Sequence, residues 1–152
     1  MIVNEIMTRT VVTVELDDAL DVVKDIFDAG RFHHLLVLDD NVLVGVLSDR
    51  DLLRAVSPNL DTSRCTYWDL ATLRKPVHSI MTRKPVTISP NAQVSDAVRI
   101  INQNTFSCLP VVDDSGKVLG ILTWRDILKN LEGICEGTCS LGPEGPGELP
   151  GA

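Results

Sequence analysis

The chain has 152 residues, a formal net charge of −7, 44% apolar residues and only 4% aromatics. That is ordinary for a soluble globular protein of one compact domain or two small ones, and it excludes a basic nucleic-acid-binding face as the organising feature. No apolar run approaches the roughly 20 residues that span a membrane. The opening Met1-Ile2-Val3-Asn4-Glu5 has no basic stretch before an apolar one, so the reading is a cytoplasmic protein without a signal peptide.

The first 57 residues read as one structural unit. Residues 11–14 are extended. Leu20, Val23 and Phe27 mark the apolar face of a helix, and Gly30 is expected to end it in the left-handed region. Two strands follow over residues 35–38 and 42–47, joined by the turn Asp39-Asp40-Asn41, and a short helix closes the unit over 49–56. Residues 58–76 form a linker with a short helical turn near 69–73. Its Trp68 either packs against the core or stacks on a bound base.

The second unit, residues 77–132, reads the same way. Residues 86–88 are extended, Ser89 is a good N-cap, and Pro90 suits a first helical position. Val94, Ala97, Val98 and Ile101 then fall on one helix face. Strands over 109–112 and 117–122 flank the turn Asp113-Asp114-Ser115-Gly116, and a helix is expected over 124–131. Residues 133–152, rich in Gly and Pro, read as a flexible tail.

The likeness of the two units extends to residues. Met7-Thr8-Arg9-Thr10-Val11-Val12-Thr13-Val14 matches Met81-Thr82-Arg83-Lys84-Pro85-Val86-Thr87-Ile88 at an offset of 74. The offset holds through Phe32/Phe106, Leu35/Leu109, Val37/Val111 and Asp39/Asp113. It becomes 75 after one inserted turn residue, through Gly45/Gly120, Leu47/Leu122, Arg50/Arg125, Asp51/Asp126 and Leu53/Leu128. A match this long with a single gap at a turn marks an internal repeat of β-α-β-β-α order, an α/β fold used twice.

Polar chemistry recurs at one place, the strand-to-helix corner. It reads Ser48-Asp49-Arg50-Asp51 in the first copy and Thr123-Trp124-Arg125-Asp126 in the second. A hydroxyl followed three positions later by an acid is a capping-box pattern. It is equally a binding pattern, since a helix N-terminus favours phosphate and a carboxylate accepts ribose hydroxyls. Nothing catalytic recurs beside it: Gly-x-Ser-x-Gly, His-Glu-x-x-His and a Walker loop are all missing. Cys65, Cys108, Cys135 and Cys139 include no Cys-x-x-Cys pair, so free thiols are expected and not a metal or redox centre.

The doubled order, the Met-Thr-Arg-x-x-Val-Thr opening, Leu109-Pro110-Val111-Val112-Asp113 and the Gly-apolar-apolar-Ser/Thr-x-Arg-Asp ending together resemble the CBS-domain family. There, two repeats form a Bateman module. The chain is similar to stand-alone CBS pairs of the acetoin-utilisation regulator type. The resemblance implies two repeats packed through their sheets with pseudo-twofold symmetry, two clefts, a flat homodimer and a regulatory, non-catalytic role.

The ligand it implies is an adenine nucleotide, AMP, ADP or ATP, the last with magnesium. Asp51 and Asp126 would hold ribose hydroxyls, with Ser48 and Thr123 near the ribose or α-phosphate. Val12, Thr13, Val86 and Thr87, with Val37, Pro110 and Val111, would line the adenine pocket, and His33, His34, Arg50 and Arg125 would reach phosphates. Two departures stand out. Leu36 replaces the proline found at Pro110, and Ser107-Cys108 replaces His33-His34, so the two clefts are expected to bind unequally. Two other readings stay open: an interaction or dimerisation module without nucleotide, and a sensor of S-adenosylmethionine or NAD(H).

Overall fold

The computed structural model describes residues 1–30 and 32–131. The flexible-tail expectation, with Cys135 and Cys139, lies outside the described residues.

The first repeat contains a short helix α1 (Val3–Ile6), strand β1 (Thr13–Glu15), helix α2 (Leu20–Ala29), the hairpin β2 (His34–Asp39) and β3 (Val42–Ser48), and helix α3 (Asp49–Ala55). The linker supplies α4 (Tyr67–Ala71) and a 3-10 turn, Thr72–Arg74. The second repeat has a 3-10 turn at Val77–Ser79, strand β4 (Thr82–Arg83), helix α5 (Val94–Gln103), the hairpin β5 (Cys108–Val112) and β6 (Val118–Thr123), and helix α6 (Trp124–Lys129). The α/β class and the two-repeat architecture are as expected from the sequence, but the opening strand expected over residues 86–88 is reduced to a single parallel bridge, Ile88↔Val111.

Each hairpin is amphipathic in the strand sense, with alternate residues facing opposite sides. Leu35, Val37 and Leu47 face one core with Val14, Leu20 and Val23. Leu109, Val111 and Leu122 face another with Ile88, Val94 and Ala97. The residues between them, Leu36 from one side and Cys108 and Ile121 from the other, meet in a third apolar cluster where the two sheets pack.

The opening segments are exchanged between the repeats, which the sequence did not signal. β4 belongs to the second repeat by sequence but pairs antiparallel with β3 of the first, through Gly45↔Arg83 and Val46↔Thr82. Reciprocally, Thr8 pairs with Ile121 on β6, with two backbone hydrogen bonds of 2.9 Å. Val3, Ile6 and Met7 accordingly sit in the second repeat's core, and Val77, Ile80 and Met81 in the first. Gly45 and Gly120 permit the crossing. A Cβ at Gly120 would stand 2.7 Å from the Thr8 carbonyl oxygen, and one at Gly45 would stand 2.5 Å from the Met81 sulfur.

Several local expectations are corrected. Gly30 ends α2 with φ −110°, extended and not left-handed, its N–H closing on the Ile26 carbonyl. Ser89 and Pro90 precede the second helix, which begins at Val94 with Gln93 as N-cap. The Pro90 carbonyl instead accepts from the Asn4 N–H, and that of Ala92 from Val3, so this turn docks α1. Trp68 is 79% exposed beside Tyr67 and packs on no core.

Candidate functional site

Each strand-to-helix corner is locked by its own hydroxyl and acid. Ser48 N–H and Oγ both donate to Asp51 Oδ2 at 2.8 Å, while Asp51 N–H donates back to Ser48 Oγ at 3.2 Å. In the second repeat Thr123 N–H and Oγ1 donate to Asp126 Oδ2 at 2.8 and 2.6 Å, and Asp126 N–H returns to Thr123 Oγ1 at 3.3 Å. The capping role is therefore real. It does not by itself make a site, because Thr66 and Asp69 in the linker form the same box and line neither cleft.

What distinguishes the two repeat corners is their position on clefts between the repeats. The larger cleft has a volume of about 720 Å³. Its lining combines Thr8, Thr10, Val11 and Val12 of the exchanged opening segment and the Thr123–Asp126 corner with His33, His34, Asp49 and Arg50 of the first repeat. The smaller cleft, about 180 Å³, has the reciprocal composition: Thr82, Pro85 and Val86 against Ser48 and Asp51, closed by Phe106, Ser107, Cys108 and Pro110.

Of the residues named from sequence, Val12, His33, His34, Ser48, Arg50, Thr123, Arg125 and Asp126 line the larger cleft. Asp51, Val86 and Pro110 line the smaller one, which shares His34 and Ser48. Four lie elsewhere. Val37 and Val111 are fully buried in the separate repeat cores. Strand alternation explains this, because their neighbours Leu36 and Pro110 take the side that faces the other repeat. Thr13 and Thr87 are exposed and line neither cleft: Thr13 is already the first residue of β1, and Thr87 is its counterpart.

The helix-terminus expectation also changes. α6 has only six residues, and its first-turn N–H groups are mostly committed: Trp124 N–H donates to the Ser107 carbonyl and Asp126 N–H to Thr123. Charge in the larger cleft comes from side chains instead, Arg50, Arg125 and Lys129 against Asp49 and Asp126. The Arg125 guanidinium lies over the Trp124 ring, 5.4 Å from its centroid, within the roughly 6 Å reach of a cation–π contact.

Asp126 is nearly buried and accepts a further hydrogen bond, on Oδ1, from Thr8 Oγ1 at 3.1 Å. His34 sits between the clefts, its Nε2 2.7 Å from Ser107 Oγ of the other repeat. Burial holds the His34 imidazole below its ordinary pKa, with Asp49 opposing. His33 Nδ1 lies 2.8 Å from an Asp49 carboxylate oxygen. Burial pushes the Cys108 thiol up to about 12, aided by the Asp51 charge. Sequence reasoning missed Thr8, Thr82 and Trp124 as lining residues. The signal for the two threonines was present, since a hydroxyl recurs at the same position of both opening segments.

Comparison with known proteins agrees with this architecture. The CBS domain family matches residues 3–58 and 77–133. A CBS domain-containing protein of Dictyostelium discoideum is 34% identical over 138 residues, spanning 90% of this chain and 94% of its own. Two solved structures superpose with a TM-score of 0.72. CBSX2 in complex with AMP is 31% identical, with 88% of this chain and 97% of that one covered. The CBS domain pair of MJ0100 in complex with 5-methylthioadenosine and S-adenosylmethionine is 25% identical, with 88% and 98% covered. This chain is a tandem CBS-domain protein.

Proposed function

We propose that the protein is a regulatory module that senses an adenine nucleotide in the clefts between its repeats, without reacting with it. One observation carries the reading: Thr123 and Asp126 present a fixed carboxylate to a cleft of about 720 Å³ formed by both repeats. That volume falls within the roughly 300–1,000 Å³ of small-molecule sites. A carboxylate has about four acceptor positions. Capping uses two of those on Asp126, and rotation of Thr8 leaves the other two for vicinal ribose hydroxyls. The AMP complex of CBSX2 and the two adenosine compounds held by MJ0100 support the adenosine class. Because the cleft has walls from both repeats, a ligand that fits one relative placement better than another shifts the population between them, which is regulation in the thermodynamic sense. Magnesium would arrive with ATP, on its phosphates. No helix among the described residues is long and apolar enough to cross a membrane, in keeping with a cytoplasmic sensor.

The test is a thermal-shift screen of AMP, ADP, ATP, S-adenosylmethionine and NADH, each with and without Mg²⁺. A ligand at 100 times its dissociation constant adds about 2.7 kcal/mol to stability, a shift of several degrees for a chain of this size. The shift should disappear in the double variant Asp51→Asn/Asp126→Asn, which keeps capping acceptors. No shift with any ligand overturns the reading.

One observation favours a second reading, an interaction module that assembles with its own copy. Leu53 on α3 and Leu128 on α6 occupy equivalent repeat positions and are 72% and 54% exposed. A homodimer formed through these faces would bury both. Sedimentation of the protein and of Leu53→Asp/Leu128→Asp, with and without nucleotide, separates assembly from sensing.

A further inference from the structure

The repeats match at their corners, yet their charged groups do not divide evenly. Arg50 from the first corner, Arg125 from the second and Lys129 from α6 all line the larger cleft. Among the described residues, the smaller cleft has no lysine or arginine in its lining and carries Asp51. The histidine pair adds to the imbalance: His33 lines only the larger cleft, and its repeat counterpart in the second copy is Ser107. Size points the same way, since 180 Å³ lies below the usual range for small-molecule sites while 720 Å³ lies within it.

We infer that the two clefts differ in kind, and that the Thr8–Asp126 cleft is a phosphate-selective nucleotide site filled once per chain while the Thr82–Asp51 cleft takes no nucleotide. This rests on the nucleotide-sensing reading above and narrows its ligand class. The first turn of α6 has little free N–H to offer a phosphate, so the three cationic side chains must supply the neutralising charge. Guanidinium groups are suited to that task, because their fork geometry matches phosphate oxygens and their charge persists at all working pH values. The same groups repel a sulfonium, so S-adenosylmethionine is disfavoured relative to AMP. An uncharged nucleoside keeps the ribose contacts and loses the ionic ones.

The experiment is isothermal titration calorimetry of the full chain with AMP, adenosine and S-adenosylmethionine at two salt concentrations, paired with Trp124 fluorescence in a Trp68→Phe background. Trp68 lies in the exposed linker helix, so this leaves Trp124, in the larger cleft, as the single reporter. The expected result is one AMP per chain, an altered Trp124 signal on binding, and adenosine at least tenfold weaker. AMP affinity should fall with salt while adenosine affinity does not. Arg50→Ala/Arg125→Ala, both at exposed positions, should bring AMP down to the adenosine level. Two AMP per chain, equal affinities for AMP and adenosine, or AMP binding silent at Trp124 overturns the assignment and leaves nucleotide sensing standing. No binding of any of the three overturns the assignment, and nucleotide sensing falls with it when ADP and ATP also give no thermal shift.

Discussion

Thr8 and Asp126, 118 residues apart in the chain, are joined by a hydrogen bond of 3.1 Å that ties the first repeat's opening segment to the second repeat's last helix. The equivalent pair in the other cleft, Thr82 and Asp51, makes no such bond among the described residues. Thr8→Val should therefore cost about 1 kcal/mol, the net value of one intramolecular hydrogen bond. For a chain of this length that is a fall in Tm of about 2–4 °C. Thr82→Val, equally exposed but with no such bond to lose, should change Tm by less than half as much, and calorimetric melting of the two variants checks the difference. Equal effects would mean that the Thr8 bond contributes nothing beyond the shared strand pairing.

Gly120 lies under the crossing of the exchanged segment, where a Cβ would meet the Thr8 carbonyl oxygen at 2.7 Å. Backbone cannot yield as a side chain can, so Gly120→Ala should destabilise by about 1–3 kcal/mol, the usual cost of overpacking. Gly45→Ala meets chiefly the flexible Met81 side chain and should cost less. Urea unfolding midpoints of the two variants give the order.

Much of the fold was legible because the repeat tested every expectation twice. Leu35/Leu109, Val37/Val111 and Leu47/Leu122 carry the same alternation in both copies, and all six are fully buried. The exchange of opening segments was not legible. Met7-Thr8-Arg9 and Met81-Thr82-Arg83 look alike in either arrangement, and so do their landing sites at Gly120 and Gly45, so nothing local in the sequence tells which sheet each joins. The clefts were legible at their corners, where Ser48/Asp51 and Thr123/Asp126 recur and line them. Val37 and Val111 lie in the repeat cores and not on a cleft, because a motif read as a run of letters ignores that successive strand residues face opposite ways.

His34 gives a pH dependence whose sign follows from its environment. Burial lowers its pKa below the 6.5 of the unfolded chain, so between those two values the unfolded state binds more protons than the folded one. Stability is then full above pH 6.5 and declines as the pH falls through that window, until the folded imidazole itself titrates. The charged groups acting on it are Asp49 and Asp51, which raise its pKa, and His33 and Arg125, which lower it. His34→Asn should flatten the slope of urea-unfolding free energy against pH just below 6.5. An unchanged slope would assign the dependence elsewhere.

Cys108 is buried between the sheets with its thiol pushed up to about 12, so almost no thiolate is present at neutral pH. In the folded protein at pH 8 it should resist iodoacetamide far longer than the half-buried Cys65 of the linker. Peptide mass spectrometry of the alkylated chain reads both sites, and added urea should bring Cys108 to the rate of Cys65.

The crossed opening segments also impose an order on biosynthesis. When the first repeat has emerged from the ribosome, its core still lacks Val77, Ile80 and Met81, and its sheet still lacks β4. Val3, Ile6 and Met7, made before either hairpin, have nowhere to dock until α5 and the second hairpin follow. A nascent chain of this protein cannot mature one repeat at a time. Val3, Ile6 and Met7 wait, exposed to chaperones and proteases, until the second hairpin is translated.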